Sequence, residues 1–572
     1  MTVRSFQRAH ARRRALEQRR ASSLRRKGSL VAGLALSSSA LFAANAQAQA
    51  LTVMSSNDDP AGTLCTSGSC TTLRDAISQA NADGTSDTIT FDPSVTGPID
   101  IHVNGPLNVT TPQGLTITGP GAGNLAITGG GTVQDFHISP SSGVPAVSIT
   151  GLTLTNGSSS TQGGAVDNVN ANLTLTNDVV SDSTTTNGVG GGGIYSDGPL
   201  NLSGTTVTGN TASSGPGGGV RLATPHGKYF SSPVNETIVN STISGNTSAG
   251  NGGGVDADGG SNVSASQAKI TDNQATGSSA YGGGINATGA TLTLTDSTVS
   301  GNSSAESAGG GRLSPTFGAT ISGTTFSGNT AVYGGGLVIN NFSSKYSPIK
   351  VETSTISGNQ ATHGAGVYLG GADSPVTIDR STLSGNTGGP GSFGGGLEIY
   401  GGIYAPVGLV DSTVSGNAAN IGAGVSVGVP STSNHIIGSG GNGSIDFDNS
   451  TIAANTAASH AGGIYLAQYQ ASSTAPYQSA TAGLTSTVVA GNTAQGISDD
   501  LERGGSSTTG GFNGAFSLVQ SPGNAPFVSK NAVITGVVPQ PGPLADNGGP
   551  TETMLPSGTS PVIDQGHAPI ST

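Results

Sequence analysis

The stretch that decides the fold is residues 242–255, Thr-Ile-Ser-Gly-Asn-Thr-Ser-Ala-Gly-Asn-Gly-Gly-Gly-Val. It joins an alternating apolar and polar run to an Asn and to a glycine triplet followed by an aliphatic residue. The Asn phrase recurs at intervals of 27 to 38 residues, at Asn210, Asn246, Asn273, Asn302, Asn329, Asn359, Asn386, Asn417, Asn455 and Asn492. The glycine phrase recurs, strictly or in relaxed form, at 217–220, 252–255, 282–285, 334–337, 364–367, 394–397, 422–425 and 461–464. Such a period indicates a repeat architecture.

Each repeat contains two or three short runs of β type, and such a unit cannot bury a core alone. Stacked repeats can, with each coil adding one strand to each of a few parallel sheets. We therefore predict an all-β fold, a right-handed parallel β-helix solenoid of roughly 13 coils with an N-terminal capping helix. A β-propeller is the alternative, but its blades need four antiparallel strands and usually carry aromatic signatures that are absent here.

The recurring residue types suit a solenoid. Glycine triplets supply positive φ at turns and let coils approach closely. The recurring Asn tolerates a left-handed turn position, and stacked copies can form a hydrogen-bonded ladder. Ser and Thr are expected to form similar ladders on the outer faces.

Residues 1–50 are predicted to be a secretory signal. A basic region precedes an apolar run from Leu30 to Ala44, and overlapping Ala-x-Ala sites predict cleavage near Ala46 to Ala50. An uncleaved anchor is the alternative, but the apolar run is short for a membrane span. We expect a secreted or cell-surface protein with no transmembrane segment in its mature part.

Composition narrows the partners. The chain has 94 Gly, no Trp and a formal net charge of −12, and loss of its basic first 50 residues would make it more acidic. This argues against nucleic acid and anionic membranes as partners. It is compatible with Ca²⁺ binding and equally with simple solubility; no other cofactor and no protein metal site are predicted.

The two ends of the solenoid differ from its middle. Cys65 and Cys70 predict a disulfide, and residues 73–81 form one amphipathic helix that Thr71 or Thr72 can cap. We assign residues 51–110 to this N-terminal cap, 111–500 to β-helix repeats, and 501–572 to the last coils and a C-terminal cap.

Three stretches resemble known families. Residues 70–81, Cys-Thr-Thr-Leu-Arg-Asp-Ala-Ile-Ser-Gln-Ala-Asn, followed by 87–92, resemble the CSLREA motif of secreted bacterial β-helix proteins, by pattern and not by identity. Residues 542–551 and 555–566 resemble the choice-of-anchor Q domain. The repeats resemble those of polymorphic outer-membrane proteins, within the pectate-lyase-like superfamily. Residues 499–501, Asp-Asp-Leu, are similar to a phrase found in the last coil of related β-helix proteins, and this resemblance implies a structural role for Asp499 and Asp500. These resemblances imply a β-helix architecture and a location at the cell surface, and they say almost nothing about activity. We expect a released protein, or one that a partner retains.

Length variation points to one side of the coil. Only 5–9 residues separate each Asn from the next glycine phrase, whereas 17–31 separate that phrase from the next Asn. Insertions in solenoids often mark the binding face, and these carry aromatic residues suited to stacking on sugar rings or to protein contact. The candidate binding residues are Tyr229, Tyr346, Tyr404, Tyr469 and Tyr477. Alternatively, these rings only hold long loops on the solenoid wall.

Catalytic candidates are few. β-Helix lyases use Ca²⁺-binding carboxylates with a basic residue, and the related hydrolases use clustered Asp. Asp256 and Asp258 would share one face of a strand, and His226 and Lys228 lie one coil earlier. Solvated loop charges explain the same four residues.

Our leading hypothesis is an extracellular, non-catalytic β-helix that presents its loop-rich face to a glycan or another cell-surface component. A polysaccharide lyase or glycoside hydrolase is the alternative, and a purely structural rod is the second alternative.

Overall fold

Short aliphatic runs bounded by glycine and asparagine form short strands, and these strands stack coil upon coil. The structure is a computed structural model, and it describes residues 48–60, 65–224, 233–342, 347–428, 443–469, 478–504 and 510–566. Three long parallel sheets, A, B and C, and a shorter fourth line, D, surround a single aliphatic core.

Sheet A has 18 strands: Ala50–Val53, Ser69–Cys70, Asp87–Phe91, Leu115–Thr118, Ala146–Thr150, Asn172–Thr176, Leu200–Ser203, Val234–Val239, Ser261–Ser266, Thr291–Thr295, Ala319–Ser322, Ile349–Glu352, Val376–Asp379, Val407–Val410, Ile445–Asp448, Thr481–Thr485, Gly511–Ala515 and Phe527–Asn531. Sheet B has 16 strands: Ile99–Asp100, Ala126–Thr128, Thr153–Thr155, Val179–Ser181, Thr206–Thr208, Thr242–Ser244, Lys269–Thr271, Thr298–Ser300, Thr325–Ser327, Thr355–Ser357, Thr382–Ser384, Thr413–Ser415, Thr451–Ala453, Val488–Ala490, Leu518–Val519 and Ile534–Thr535.

Sheet C has 14 strands: Leu107–Val109, Phe136–Ile138, Val166–Asn168, Ile194–Ser196, Val220–Leu222, Val255–Ala257, Ile285–Thr288, Gly311–Ser314, Leu337–Asn341, Val367–Ala372, Leu397–Ile399, Val425–Val427, Ile464–Leu466 and Leu501–Arg503. Line D consists of Ser158–Ser159, Thr184–Thr185, Thr211–Ala212, Thr247–Ser248, Gln274–Ala275 and Ser303–Ser304, then single bridges, then Ala418–Ile421, Thr456–His460, Thr493–Ala494 and Ile497–Ser498. Two hairpins complete the fold, Gln468–Tyr469 with Gln478–Ser479 and Pro541–Ala545 with Thr553–Pro556.

Pairing within sheets A, B and C is parallel and, apart from single shifts in sheets A and C, in register, so most side chains stack on their counterparts one coil away. In sheet B, for example, the buried residues Ile243, Ile270 and Val299 form one inward column. The solenoid is a right-handed parallel β-helix, which confirms the predicted fold class. Burial of such aliphatic columns is the main stabilising contribution, at about 25 cal/mol per Å² of apolar surface.

The repeated asparagines form the predicted ladder. In each coil from Asn210 to Asn455 the backbone N–H and Nδ2 both donate to Oδ1 of the next asparagine, at 2.8–3.0 Å. Asn492 ends the ladder by donating to Oδ1 of Asp500 at 2.8 Å. Asp500 therefore has a structural role, and its burial raises its pKa to about 6.

One expectation about these asparagines was wrong. The left-handed position is not the Asn but the residue before it, as at Gly209, Gly245 and Asp272. The ladder explains why the Asn itself is not left-handed. Each Asn side chain must point inward and each Asn backbone N–H must face the next coil, so the preceding residue adopts the left-handed conformation that the turn requires.

Ser and Thr side chains do contact one another between coils on outer faces, as predicted: Ser181 Oγ donates to Thr155 Oγ1 at 3.0 Å, and Ser244 Oγ donates to Thr208 Oγ1 at 3.2 Å. A second column of hydroxyl groups was not predicted. Ser354, Ser381 and Ser412 accept backbone N–H groups from the coil before at 3.0–3.2 Å, but they are buried in the turn between sheets A and B and not on an outer face. That turn contains two residues, such as Asn240 and Ser241, and its inner residue supplies the hydroxyl.

The glycine triplets act as predicted. Gly252 has a φ of +62°, where a β-carbon would be strained. A β-carbon on Gly253 would collide with the backbone of Gly283 in the next coil, so the close approach requires glycine.

The predicted disulfide and helix near the N-terminus are both present. Cys65 and Cys70 form a disulfide. Helix Leu73–Ala82 begins after Thr72, which forms a capping box with Asp75, and it buries Leu73 and Ile77 in the core. At the other end the hairpin segment returns along the side of the solenoid, where Thr551 and Glu552 hydrogen-bond with Arg380 and Thr382.

Length variation falls on the connections from sheet C to sheet A. They range from two residues, between Thr288 and Thr291, to 17 residues, between Val427 and Ile445. The side of the coil that carries the insertions is therefore the edge where sheet C leads into sheet A. In the described part of the chain, no helix is long and apolar enough to cross a membrane.

Candidate functional site

The predicted acidic pair lies on the outer face of sheet C. Asp256 and Asp258 point to one side, as expected, and Arg221 of the preceding coil forms ion pairs with both. Asp256 also accepts a hydrogen bond from Asn286 Nδ2 at 2.8 Å and is buried. Two carboxylates bound by one guanidinium are poorly placed to act as an acid and a base.

The other predicted residues fall mostly outside the described residues. His226, Lys228, Tyr229, Tyr346 and Tyr477 lie there, so their roles stay predictions. Tyr469 belongs to strand Gln468–Tyr469, of which only the backbone is described. Tyr404 is described, and it is 56% exposed on a connection from sheet C to sheet A.

Tyr404 belongs to a larger group, here called the aromatic face, on the outside of sheet C over three consecutive coils. Its members are Tyr333, Phe342, His363, Tyr368, Phe393, Tyr400 and Tyr404. Along one edge the rings of Tyr333, His363 and Phe393 stack in successive coils, with centroids 4.8 and 5.6 Å apart and planes 13° apart. Parallel in-register coils produce this column, because every coil places the equivalent residue at the same point.

The middle row of the aromatic face occupies outward positions of the strands. Tyr368 pairs in register with Glu398, and its ring contacts Tyr333 edge to face at 5.4 Å and Tyr400 at 5.7 Å. These contacts leave the middle rings half-buried.

The far row lies at the insertion edge and is the most exposed. Phe342 is 60% exposed, and its ring occupies the space that a β-carbon on Gly371 would need. The Tyr404 ring also lies over a glycine, but this one, Gly402, belongs to its own coil and stands two residues before it. Glycines thus form the floor beneath both rings and leave their outer sides open to solvent.

One titratable pair lies within the aromatic face. Glu398 is fully buried, and its Oε1 is 3.3 Å from His363 Nδ1. Burial raises the pKa of Glu398, and the contact with His363 opposes that shift. Burial also raises the pKa of Tyr368, so its hydroxyl is neutral at any ordinary pH.

The binding residues predicted from the sequence all lie in the insertions, so most members of the aromatic face were not predicted. A signal was present: the residue directly before the glycine phrase is aromatic or His in several coils, at Tyr281, Tyr333, His363 and Phe393. No comparable sequence pattern identifies the outward strand position that Tyr368 occupies, because each short strand has only one or two residues that face outward.

Elsewhere on the described surface, His137 Nδ1 lies 2.8 Å from Asp167 Oδ2 and His460 Nδ1 lies 2.9 Å from Glu502 Oε1. Among the described residues, no group of three or more His, Cys, Asp or Glu side chains could hold a metal ion. An open depression of about 420 Å³ lies on line D, over small residues such as Gly388, Gly389 and Ala418. Nothing in it resembles a catalytic arrangement.

Comparison with known proteins agrees with the fold. Residues 229–402 match a family model described as a right-handed beta helix region, and these residues include nearly the whole aromatic face. Searches of curated proteins and of solved structures gave no significant match.

Proposed function

We propose that this protein is an extracellular binding protein that holds a glycan on its aromatic face. The observation that carries the proposal is the pair of exposed rings, Phe342 and Tyr404, which lie on glycine floors at the edge of a rigid sheet. Solvent-exposed rings with one open side suit the apolar faces of sugar rings. Each ring directly follows a residue that pairs with the neighbouring coil, Asn341 or Ile403, and this pairing lowers the cost of ordering the ring on binding.

A catalytic role receives less support. The predicted catalytic carboxylates Asp256 and Asp258 are both engaged by Arg221, and among the described residues no group of three or more His, Cys, Asp or Glu side chains could hold a metal ion. The fold itself hosts both binders and enzymes, so it does not separate them.

The proposal is tested by glycan-array screening of the purified protein, followed by calorimetry with the best glycan. We expect Phe342→Ala with Tyr404→Ala to weaken binding about 10- to 100-fold, because each ring contributes on the order of 1 kcal/mol. Val528→Ala is the matched control, since Val528 is 62% exposed on the last strand of sheet A, far from the face.

Unchanged affinity in the double variant would overturn the proposal. Incubating the protein with the same glycans tests the competing catalytic function. New reducing ends would identify a hydrolase, and unsaturated products would identify a lyase.

A further inference from the structure

Phe342 and Tyr404 are aligned with the axis of the solenoid. Asn341 pairs with Ala372, and Ala372 with Ile403, so the two rings follow equivalent positions two coils apart. Adjacent parallel strands are separated by about 4.8 Å, which places the two positions about 10 Å apart along the axis. A ligand that contacts both rings must therefore extend along the axis, as successive residues of a linear chain do.

The coil between the two rings presents backbone at this edge. A β-carbon on Gly370 would collide with Asn340, and one on Gly371 with Phe342, so the strip carries no side chain of its own. Gly371 is buried beneath the Phe342 ring and Gly370 is half-buried, so this strip places no charged side chain between the two rings.

The charges near the rings are negative or already neutralised. From Tyr333 to Tyr404 the described Lys and Arg side chains are Lys350 and Arg380, which lie on sheet A and pair with Glu352 and Asp379. Asp373, in the middle coil, is exposed beside the strip, and its backbone N–H donates to Asn341 at 2.7 Å. Lys345 lies outside the described residues.

We infer that the ligand of the aromatic face is an uncharged, extended polysaccharide that lies parallel to the solenoid axis and contacts both exposed rings. This inference rests on the proposed function and adds the charge and the orientation of the glycan. A polyuronate would bring a line of carboxylates against Asp373 in a protein that is already acidic. Lys350 and Arg380, the described basic side chains between Tyr333 and Tyr404, are already paired with carboxylates.

A pair of polymers with one backbone and different charge tests the inference. Fully methyl-esterified homogalacturonan and polygalacturonate are compared at about 50 mM salt, with galactomannan and hydroxyethyl cellulose as further neutral probes. We expect at least one neutral polymer to bind, and polygalacturonate to bind at least tenfold more weakly than its methyl ester. High salt should narrow that difference, since it screens exposed charges.

Asp373→Asn isolates the charge. It should strengthen polygalacturonate binding several-fold and leave the affinity for neutral polymers unchanged. Orientation is tested with single and double Ala variants of Phe342 and Tyr404: their effects should be coupled for a long oligosaccharide and absent for its monosaccharide.

The outcomes separate the two levels of the argument. If polygalacturonate binds as tightly as the neutral polymers, and does so through Phe342 and Tyr404, the inference is wrong while the proposed function stands. If no polymer in any arm depends on these rings, both are wrong.

Discussion

Asn359 lies in the middle of the asparagine ladder, and replacing it with Ala should leave three buried polar groups without a hydrogen-bond partner. Its Oδ1 accepts the backbone N–H and the Nδ2 of Asn329 at 3.0 and 2.9 Å. Its Nδ2 donates to the Phe326 carbonyl at 3.0 Å and to Asn386 Oδ1 at 2.9 Å. Ala would leave two donors of Asn329 and the Phe326 carbonyl without these partners, in a region that excludes solvent.

The expected cost follows from that count. An unsatisfied buried polar group costs about 1–3 kcal/mol, so Asn359→Ala, which leaves three such groups, should lower the free energy of unfolding by about 3–9 kcal/mol. Urea-induced unfolding followed by circular dichroism measures the change. The matched control is Asn235→Ala, because Asn235 is an exposed asparagine that accepts from Asn262 at 2.7 Å; we expect at most about 0.5 kcal/mol there. Equal costs for the two variants would refute the view that the ladder stabilises the solenoid.

Three further predictions concern stability and processing. Burial raises the pKa of Asp178 to about 7 and that of Glu236 to about 8. The folded state therefore binds these protons more tightly than the unfolded state, and the free energy of unfolding should fall as pH rises from about 5 to 8. Glu236→Gln should make the free energy of unfolding, measured by urea titration, depend less on pH across this range. Replacing Cys65 and Cys70 together with Ser should cost about 2 kcal/mol, because the loop they close is short, and thermal unfolding measures it. If the N-terminal residues are cleaved as the sequence predicts, N-terminal sequencing of the mature chain should find a start no later than Gln49, because the Gln49 N–H donates to Asp87 at 2.7 Å beside the first strand of sheet A.

The repeat made the fold predictable, and the residues inside the repeat made the ladder predictable. A period of about 30 residues leaves few ways to bury the aliphatic positions, and stacking then brings one Asn onto the next. The conformation of the Asn was predicted wrongly because tolerance of a left-handed backbone is a property of the residue type, whereas the ladder demands a direction for the side chain. Gly209 takes the left-handed position at no steric cost, so Asn210 is free to point inward.

The site was harder to predict because its contacts run between coils. Arg221 meets Asp256 and Asp258 only because the register of sheet C places one coil on the next, and the lengths of the intervening connections hide that register in the sequence. The aromatic column has the same origin. Tyr333 and His363 are 30 residues apart in the chain, yet their rings stack at 4.8 Å.

Rigid and variable parts of each coil lie on different edges, and this division matters for function. The two-residue turns and the asparagine ladder hold neighbouring coils in register, while the entropic cost of a longer connection from sheet C to sheet A grows only slowly with its length. Insertions in these connections can change without disturbing the core. Side chains in the connections of successive coils are separated along the axis by the spacing of the coils. Phe342 and Tyr404 illustrate the result, since the fold sets their separation along the axis and the connection sets which side chains are presented. A change of ligand would then need substitutions at this edge alone, with no change in the asparagine ladder beneath it.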